Sequence, residues 1–178
     1  MKKVNWDNIQ ESTGFDNPKP GGYYAVITRV EDVEEKEYLR IEWDFATGPY
    51  KNYNSDTFQR AGFWPTVLIR SYKDSALPYF KGFKTVLEQS NRGYTFQEDR
   101  LQDMVGKYIG VVLGEEVYIN NRGEQKTRLY VAETKSCAAI KQGYYNVPEL
   151  REARQRNAAS APVNTAPIEL SDEDGLPF

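Results

Sequence analysis

The sequence predicts a mainly β domain of five strands, with one main helix between the third and fourth strands and a disordered C-terminal tail. Segments rich in β-branched and aromatic residues recur along the chain, and only one convincing stretch has apolar side chains at helical spacing. The residues after 156 contain few large apolar side chains. At 178 residues the chain has room for one ordinary domain with appendages.

The first two strands are predicted from composition and alternation. Residues 22 to 33 are rich in β-branched and aromatic types. After a polar turn, residues 38 to 47 alternate strictly between apolar and polar side chains. The apolar positions are Leu39, Ile41, Trp43 and Phe45. The pattern predicts a half-buried strand paired with the first, so Trp43 and Phe45 are assigned to the core rather than to a base-stacking surface.

The third strand and the helix follow. Residues 66 to 69 are interpreted as strand, and Ser75 is the candidate cap of a helix predicted over residues 76 to 90. Asn91 to Gly93 supply a left-handed terminator, and a second short helix is predicted around residues 98 to 104. The residues at helical spacing are Leu77, Phe80, Phe83 or Lys84, and Leu87. This spacing predicts that the helix packs on the sheet.

The last two strands are predicted as a long hairpin. Residues 106 to 119 form one strand, in which Gly110 and Gly114 are the expected bulge or bend points. Residues 120 to 123 make the turn, and residues 126 to 135 return. Five strands with a helix between the third and fourth is the layout of the OB-fold, a Greek-key barrel that binds single strands and oligosaccharides. We therefore expect an OB-fold-like barrel.

The chain divides into three parts. Residues 1 to 146 form the OB-like domain, residues 147 to 156 a short basic helix or linker, and residues 157 to 178 a disordered tether with an acidic tip. Residues 157 to 170 carry one charge and consist largely of Ala, Ser, Asn, Thr and Pro. Such a stretch buries too little apolar surface to offset its ordering entropy.

Composition argues against most catalytic sites. The chain has no histidine, and Cys137 is its only cysteine, which excludes a conventional zinc site, a Ser-His or Cys-His pair and an internal disulfide. The acidic run at residues 31 to 37 lies at a turn where adjacent side chains diverge. We expect no enzyme, no cofactor and no metal; a carboxylate-metal nuclease is the least favoured alternative.

Charge and hydropathy limit the partners. All 23 basic residues and 22 of the 26 acidic residues precede Asn157. The body, residues 1 to 156, therefore has a net charge of +1, and the tail, residues 157 to 178, has a net charge of −4. A phosphate-binding surface must therefore be a local patch. The chain lacks an apolar run of membrane-spanning length and a signal-peptide core at its start, so we expect a cytoplasmic protein without a membrane partner.

Two segments are candidate surfaces for single-stranded DNA, because both interleave cations with flat rings. The first segment spans residues 50 to 73, and the alternative interpretation is that its rings form a structural aromatic cluster. Its candidate contacts are Tyr50, Lys51, Tyr53, Phe58, Arg60, Phe63, Trp64, Arg70, Tyr72 and Lys73. The second is one face of the last strand, and its alternative is an ordinary solvated face. Its candidate contacts are Lys126, Arg128 and Tyr130, extended by Arg122 and Lys107.

The C-terminal tip has the chemistry of a peptide that docks on another protein. Its candidate partner-binding residues are Asp172, Glu173, Asp174, Leu176, Pro177 and Phe178. A terminal ring fills an apolar pocket, and carboxylates suit a basic rim. The tip resembles the acidic tails of bacterial and phage single-stranded DNA-binding proteins, although Gly175 and Leu176 stand where bacterial tails usually carry acidic or Ile residues. The alternative is a solvated acidic tail that ends in Phe by chance.

The body is similar to a family of phage-encoded proteins found with replication and recombination functions and treated as single-strand binders. The similar stretches are Pro18-Lys19-Pro20-Gly21-Gly22-Tyr23, Glu31-Asp32-Val33, Gly62-Phe63-Trp64, Ile69-Arg70-Ser71-Tyr72-Lys73, Ala76-Leu77-Pro78-Tyr79-Phe80-Lys81 and Val112-Leu113-Gly114-Glu115-Glu116. The resemblance covers roughly residues 4 to 150 and assigns no contact residues.

Together these features predict a non-enzymatic phage single-stranded DNA-binding protein that acts in the bacterial host cytoplasm. We expect it to coat DNA without strong sequence preference and to recruit replication, recombination or repair proteins through its tip. A homo-oligomer is compatible with the sequence. The alternative is an adaptor that binds no DNA and occupies the host pockets for such tails.

Overall fold

The computed structural model describes residues 17 to 152, which contain five strands and three α-helices. The strands are β1 (Gly21–Val33), β2 (Tyr38–Phe45), β3 (Val67–Ser71), β4 (Tyr108–Ile119) and β5 (Gln125–Lys135). The helices are α1 (Tyr53–Ala61), α2 (Leu77–Ser90) and α3 (Cys137–Gln142). Short 3₁₀ turns lie at Glu34–Lys36, Asp74–Ala76 and Leu101–Met104. The mainly β class, with the main helix α2 between β3 and β4, is confirmed.

The strands form one antiparallel sheet in the order β3-β2-β1-β4-β5. β1 is central because its first half pairs with β4 while most of its length pairs with β2. The sheet is open between its edge strands, β3 and β5. Across this seam, Arg70 on β3 donates a 3.1 Å hydrogen bond from Nη2 to Oγ1 of Thr134 on β5. The fold is thus an OB-like curved sheet whose edges meet through side chains.

The core lies between the inner face of the sheet and α2. Trp43 and Phe45 are each 1% exposed, which confirms their assignment to the interior. Phe83 and Leu87 of α2 are also buried, while Phe80 packs against the core more peripherally. Burying each of these large side chains contributes roughly 1.5–3 kcal/mol to the free energy of unfolding. The alternate residues of β2 that were predicted to face inward do so, and this face of the sheet packs against α2.

The start of α2 differs from the prediction. Ser75 lies inside the 3₁₀ turn Asp74–Ala76, and the cap position is occupied by Ala76 without a side-chain hydrogen bond. Because the chain enters the helix through that turn, the Ser75 hydroxyl lies too early to accept from the first helical N–H groups. The predicted cap at Ser75 is wrong, although the helix is correct.

Residues 143 to 152, which follow α3, form a non-helical segment that lies across β4 and is called the strap here. The backbone N–H of Arg151 donates to the carbonyl of Glu115 at 2.9 Å, and that of Val117 donates to the carbonyl of Arg151 at 2.8 Å. These bonds form a parallel bridge that holds the strap in extended form. Residues 147 to 156 were predicted as a short basic helix or a linker, and the helix is wrong for residues 147 to 152. The predicted tether and tip, 157 to 178, lie outside the described residues.

Gly110 and Gly114 leave room for packing, whereas the bulge in this strand pair lies on β5, where Ala132 is the extra residue opposite Val112 and Leu113 of β4. A Cβ on Gly110 would lie against Ile140 of α3 and 2.8 Å from the carbonyl oxygen of Lys135. A Cβ on Gly114 would lie 2.6 Å from Pro148 of the strap. The predicted role of these glycines as bend points is replaced by close approach of neighbouring segments.

Gly110→Ala should therefore destabilise the domain by about 1–3 kcal/mol, since backbone and a buried side chain must both shift. Gly82→Ala is the matched control: no atom lies within 4 Å of the new methyl, and alanine in a helix gains about 0.5–1 kcal/mol over glycine. Urea denaturation measures both. Equal midpoints for the two variants would contradict the close packing at Gly110.

Candidate nucleic-acid interface

The candidate interface is built on α1, a helix that the sequence analysis did not predict. Its cap residue, Asn52, has a positive φ of 64° and makes no side-chain cap. The buried carboxylate of Asp44 on β2 takes that role by accepting from the backbone N–H groups of Asn54 at 3.0 Å and Ser55 at 2.9 Å. It also accepts from the N–H of Phe45 and the hydroxyl of Ser55. A negative charge at this helix end is favourable.

Two candidate DNA contacts, Tyr50 and Tyr53, pack against the core instead of being exposed to solvent. Both are half-buried, and their ring centroids lie 5.8 Å and 6.1 Å from that of Phe45. The hydroxyl of Tyr53 also donates to Oδ1 of Asn17 at 2.8 Å. Their geometry is that of the structural aromatic cluster, the alternative for this segment.

The end of α1 presents a different surface, which we call the aromatic patch: Phe58, Arg60, Phe63 and Trp64. Phe58 is 49% exposed and Phe63 58% exposed, which is unusual for large apolar rings. Gly62 ends the helix in the left-handed conformation and carries the chain into the patch. Nε1 of Trp64 donates to the carbonyl of Trp43 at 3.2 Å, so this ring is held in place. Lys51 is also exposed, at the opposite end of α1.

Arg70 lies at the seam between β3 and β5. Its Nη1 donates to the carbonyl of Ile69 at 2.9 Å, and its guanidinium carbon lies 5.4 Å from the ring centroid of Phe83. Burial lowers the pKa of Arg70 to about 10, so the guanidinium remains charged at neutral pH. Arg70 therefore supplies a fixed positive charge and also joins the two edges of the sheet.

Tyr72 and Lys73, just after β3, are both half-buried. The hydroxyl of Tyr72 donates to the carboxylate of Asp32 at 2.8 Å. Desolvation and this hydrogen bond raise the pKa of Tyr72 to about 12. Tyr72 is thus tied to β1, and its ring stands edge-on to Phe80 at a centroid distance of 6.4 Å.

A groove of about 610 Å³ runs between β3, α2 and β5. Pro65 and Thr66 line one end, directly after the aromatic patch in the chain. Its walls combine apolar side chains with three cations. The lining residues most relevant to a ligand are Arg70, Tyr79, Phe83, Arg128, Val131 and Lys135. Two of these cations are paired within the groove, Arg128 with Glu116 and Lys135 with Glu133, both at 2.6 Å. Arg70 is therefore the groove cation that has no carboxylate partner among the described residues.

The predicted face of β5 is occupied by contacts within the protein. Nε of Arg128 lies 2.6 Å from a carboxylate oxygen of Glu116, and the ammonium of Lys126 lies 3.5 Å from that of Glu124. The guanidinium carbon of Arg151 lies 4.2 Å above the ring of Tyr130. These three residues share a face as predicted, but each already has a partner.

Lys107 and Arg122 do not belong to one surface. Lys107 precedes the start of β4, and Arg122 lies in the hairpin turn beyond its end. A strand of this length separates them by more than about 30 Å at a rise of ~3.3 Å per residue. The sequence placed Arg122 in the hairpin turn and Lys107 at the start of the fourth strand, as the structure has them, but the length of the strand between them prevents both from extending one surface.

Two exposed tyrosines were missed. Tyr79 on α2 is 62% exposed and lines the groove, and Tyr108 at the start of β4 is 50% exposed. Tyr79 was detectable in principle, since it lies out of phase with the inward residues Phe80, Phe83 and Leu87. Tyr108 falls in a strand whose outward positions the sequence did not separate from the inward ones.

Within residues 17 to 152, no group of three or more Cys, Asp or Glu side chains is arranged to hold a metal ion. No helix in that part of the chain is both long and apolar enough to cross a membrane. Neither known protein-family models nor curated proteins give a match to this chain.

Proposed function

We propose that the protein binds single-stranded DNA without strong sequence preference and recruits other proteins to it. The observation that carries the proposal is the aromatic patch, where two exposed rings, Phe58 and Phe63, lie on either side of Arg60 in the chain, at and just after the end of α1. Exposed rings stack on bases and cations follow the phosphates, which is the chemistry of sequence-independent single-strand binding.

The DNA path runs from the aromatic patch into the groove. Pro65 links the two in the chain, and Tyr79 offers a further exposed ring along the wall. Arg70 contributes a positive charge on the groove floor without a carboxylate partner among the described residues. The OB-like strand order supports single-strand binding in general, since OB-folds bind oligonucleotides through the face of their second and third strands and through neighbouring loops.

Partner recruitment belongs to the C-terminal tip and rests on the resemblance to bacterial and phage tails. The tip combines Asp172, Glu173 and Asp174 with the terminal Leu176, Pro177 and Phe178. Replication, recombination or repair proteins of a bacterial host infected by phage are the partners, and the shared site of action is the host cytoplasm.

Deleting residues 171 to 178 should leave the affinity for oligo-dT unchanged or higher, because the deletion removes negative charge that repels or competes with DNA. Recruitment of a partner helicase or polymerase accessory protein should disappear. Fluorescence anisotropy with labelled oligo-dT and a pull-down from a bacterial lysate measure the two effects. Loss of DNA affinity on this deletion would contradict the separation of tasks.

The second candidate is an adaptor that has the same tip but no affinity for DNA. The body's charge of only +1 favours it, as do the internal partners of Lys126, Arg128 and Tyr130. The two functions differ in one measurable property, the affinity of the globular part for unpaired DNA.

A further inference from the structure

A second cleft lies at the other side of β1 from α1, between the end of α2 and the start of β4. It has a volume of about 440 Å³ and is formed by residues 90 to 94 and 106 to 108. The side chain of Asn91 joins its walls: Oδ1 accepts from the N–H of Tyr108 at 2.9 Å, and Nδ2 donates to the carbonyl of Tyr108 at 2.7 Å. The Asn91 side chain therefore fixes the separation of the two walls through the backbone of Tyr108.

The lining side chains combine one exposed ring with two cations. Tyr108 is 50% exposed, and the ammonium of Lys107 lies 5.1 Å from the ring centroid of Tyr94. Among the described residues, neither Lys107 nor the exposed Arg92 forms an ion pair. The hydroxyl oxygen of Tyr94 is buried and has no hydrogen-bond partner in the same part of the chain.

Two carboxylates, Glu88 and Asp103, lie near Tyr94, and among the described residues neither forms an ion pair with these cations. Glu88 accepts a 3.0 Å hydrogen bond from the backbone N–H of Phe96, and Asp103 lies 2.6 Å from the guanidinium of Arg100. Burial, followed by the charges of Asp103 and Glu88, raises the pKa of Tyr94, so its hydroxyl remains a proton donor at neutral pH. The cleft thus offers two cations, Arg92 and Lys107, to an anion.

The register of the sheet brings this cleft close to α1. Val26 of β1 pairs with Asp44 on one side and with Tyr108 on the other. Two strand spacings of ~4.8 Å place Tyr108 roughly 10 Å from the residue that caps α1. The aromatic patch lies at the far end of that nine-residue helix, about 13 Å further along at 1.5 Å per residue. A single strand of several nucleotides spans this distance.

We infer that the cleft binds one nucleotide of a bound single strand, with the base stacked on Tyr108 and its phosphate held by Arg92 and Lys107. This inference rests on the proposed function and adds a contact point that is separate from the groove. A nucleotide matches both features of the cleft: its base can stack on the exposed ring of Tyr108, and its phosphate can bind the two cations.

Photocrosslinking of the full-length protein to oligo-dT containing 5-iodouracil tests the inference. The expected adducts include Tyr108, identified by mass spectrometry. Tyr108→Ala should remove that adduct and weaken oligo-dT binding about fivefold or more. Arg92→Gln combined with Lys107→Gln should reduce the salt dependence of binding by about one phosphate contact. Tyr144→Ala, which truncates a tyrosine on the strap that is 70% exposed against 50% for Tyr108, is the matched control and should change neither.

The outcomes separate this inference from the proposed function. Adducts at Phe58 or Phe63 without one at Tyr108, together with unchanged affinity of Tyr108→Ala, would overturn the cleft and leave the proposed function intact. Absence of oligo-dT binding by the unmodified protein would overturn both. The adduct on the unmodified protein needs no variant, so a folding defect in Tyr108→Ala cannot hide the result.

Discussion

The double variant Phe58→Ala, Phe63→Ala should lose about 30-fold or more in affinity for oligo-dT. Stacking on an aromatic side chain contributes about 1–3 kcal/mol per base, and tenfold in affinity corresponds to about 1.4 kcal/mol. Both rings are largely exposed, so their removal leaves the core intact and the unfolding midpoint nearly unchanged. Anisotropy titrations at fixed ionic strength measure the affinity, and urea denaturation checks the fold.

Tyr144→Ala is the control for non-specific loss of aromatic surface, since Tyr144 is 70% exposed and lies on the strap. It should bind oligo-dT as the unmodified protein does. If the double variant also bound oligo-dT normally, the aromatic patch would not be a DNA contact, even if another part of the surface binds DNA.

Asp44→Ala should destabilise the domain by on the order of 3 kcal/mol and also weaken DNA binding. The substitution leaves the N–H groups of Phe45, Asn54 and Ser55 and the hydroxyl of Ser55 without their acceptor, and each unsatisfied buried donor costs about 1–3 kcal/mol before relaxation. Since α1 carries the aromatic patch, fraying of its first turn moves the DNA contacts as well.

Asp56→Ala is the matched control for Asp44, because Asp56 also lies in the first turn of α1 but is exposed. Its loss should cost less than about 1 kcal/mol, mostly through the helix dipole. The comparison uses urea midpoints for stability and anisotropy for affinity. Equal destabilisation by the two substitutions would contradict the capping role of Asp44.

The local pattern predicted the strands well, because a strand with one buried face alternates between apolar and polar residues along the sequence. Trp43 and Phe45 were placed in the core from parity alone, and the hairpin was located from its turn. Asp44 was not recognised, since its burial depends on hydrogen bonds to α1, a segment distant in the chain. The helix α1 itself is mostly polar and is stabilised by that tertiary cap, so periodicity gave no signal for it.

The candidate site was only partly predictable for a similar reason. Residues 50 to 73 were singled out because they are aromatic and basic, but sequence does not distinguish the exposed Phe58 and Phe63 from the packed Tyr50 and Tyr53. Which rings face the core depends on how α1 lies on β2. Likewise, the partners of Arg128 and Tyr130 come from β4 and the strap, and the strap was expected to be helix or linker.

The most direct test is a titration of labelled oligo-dT with a chain ending at Arg156, at low and at high ionic strength, with and without Mg²⁺. This chain retains all five strands and lacks the acidic tip. Binding at low salt that weakens steeply as salt rises, without cleavage when Mg²⁺ is present, is the result expected for a protein that holds unpaired DNA through phosphates and stacked bases. No binding at low ionic strength would contradict it and favour the adaptor.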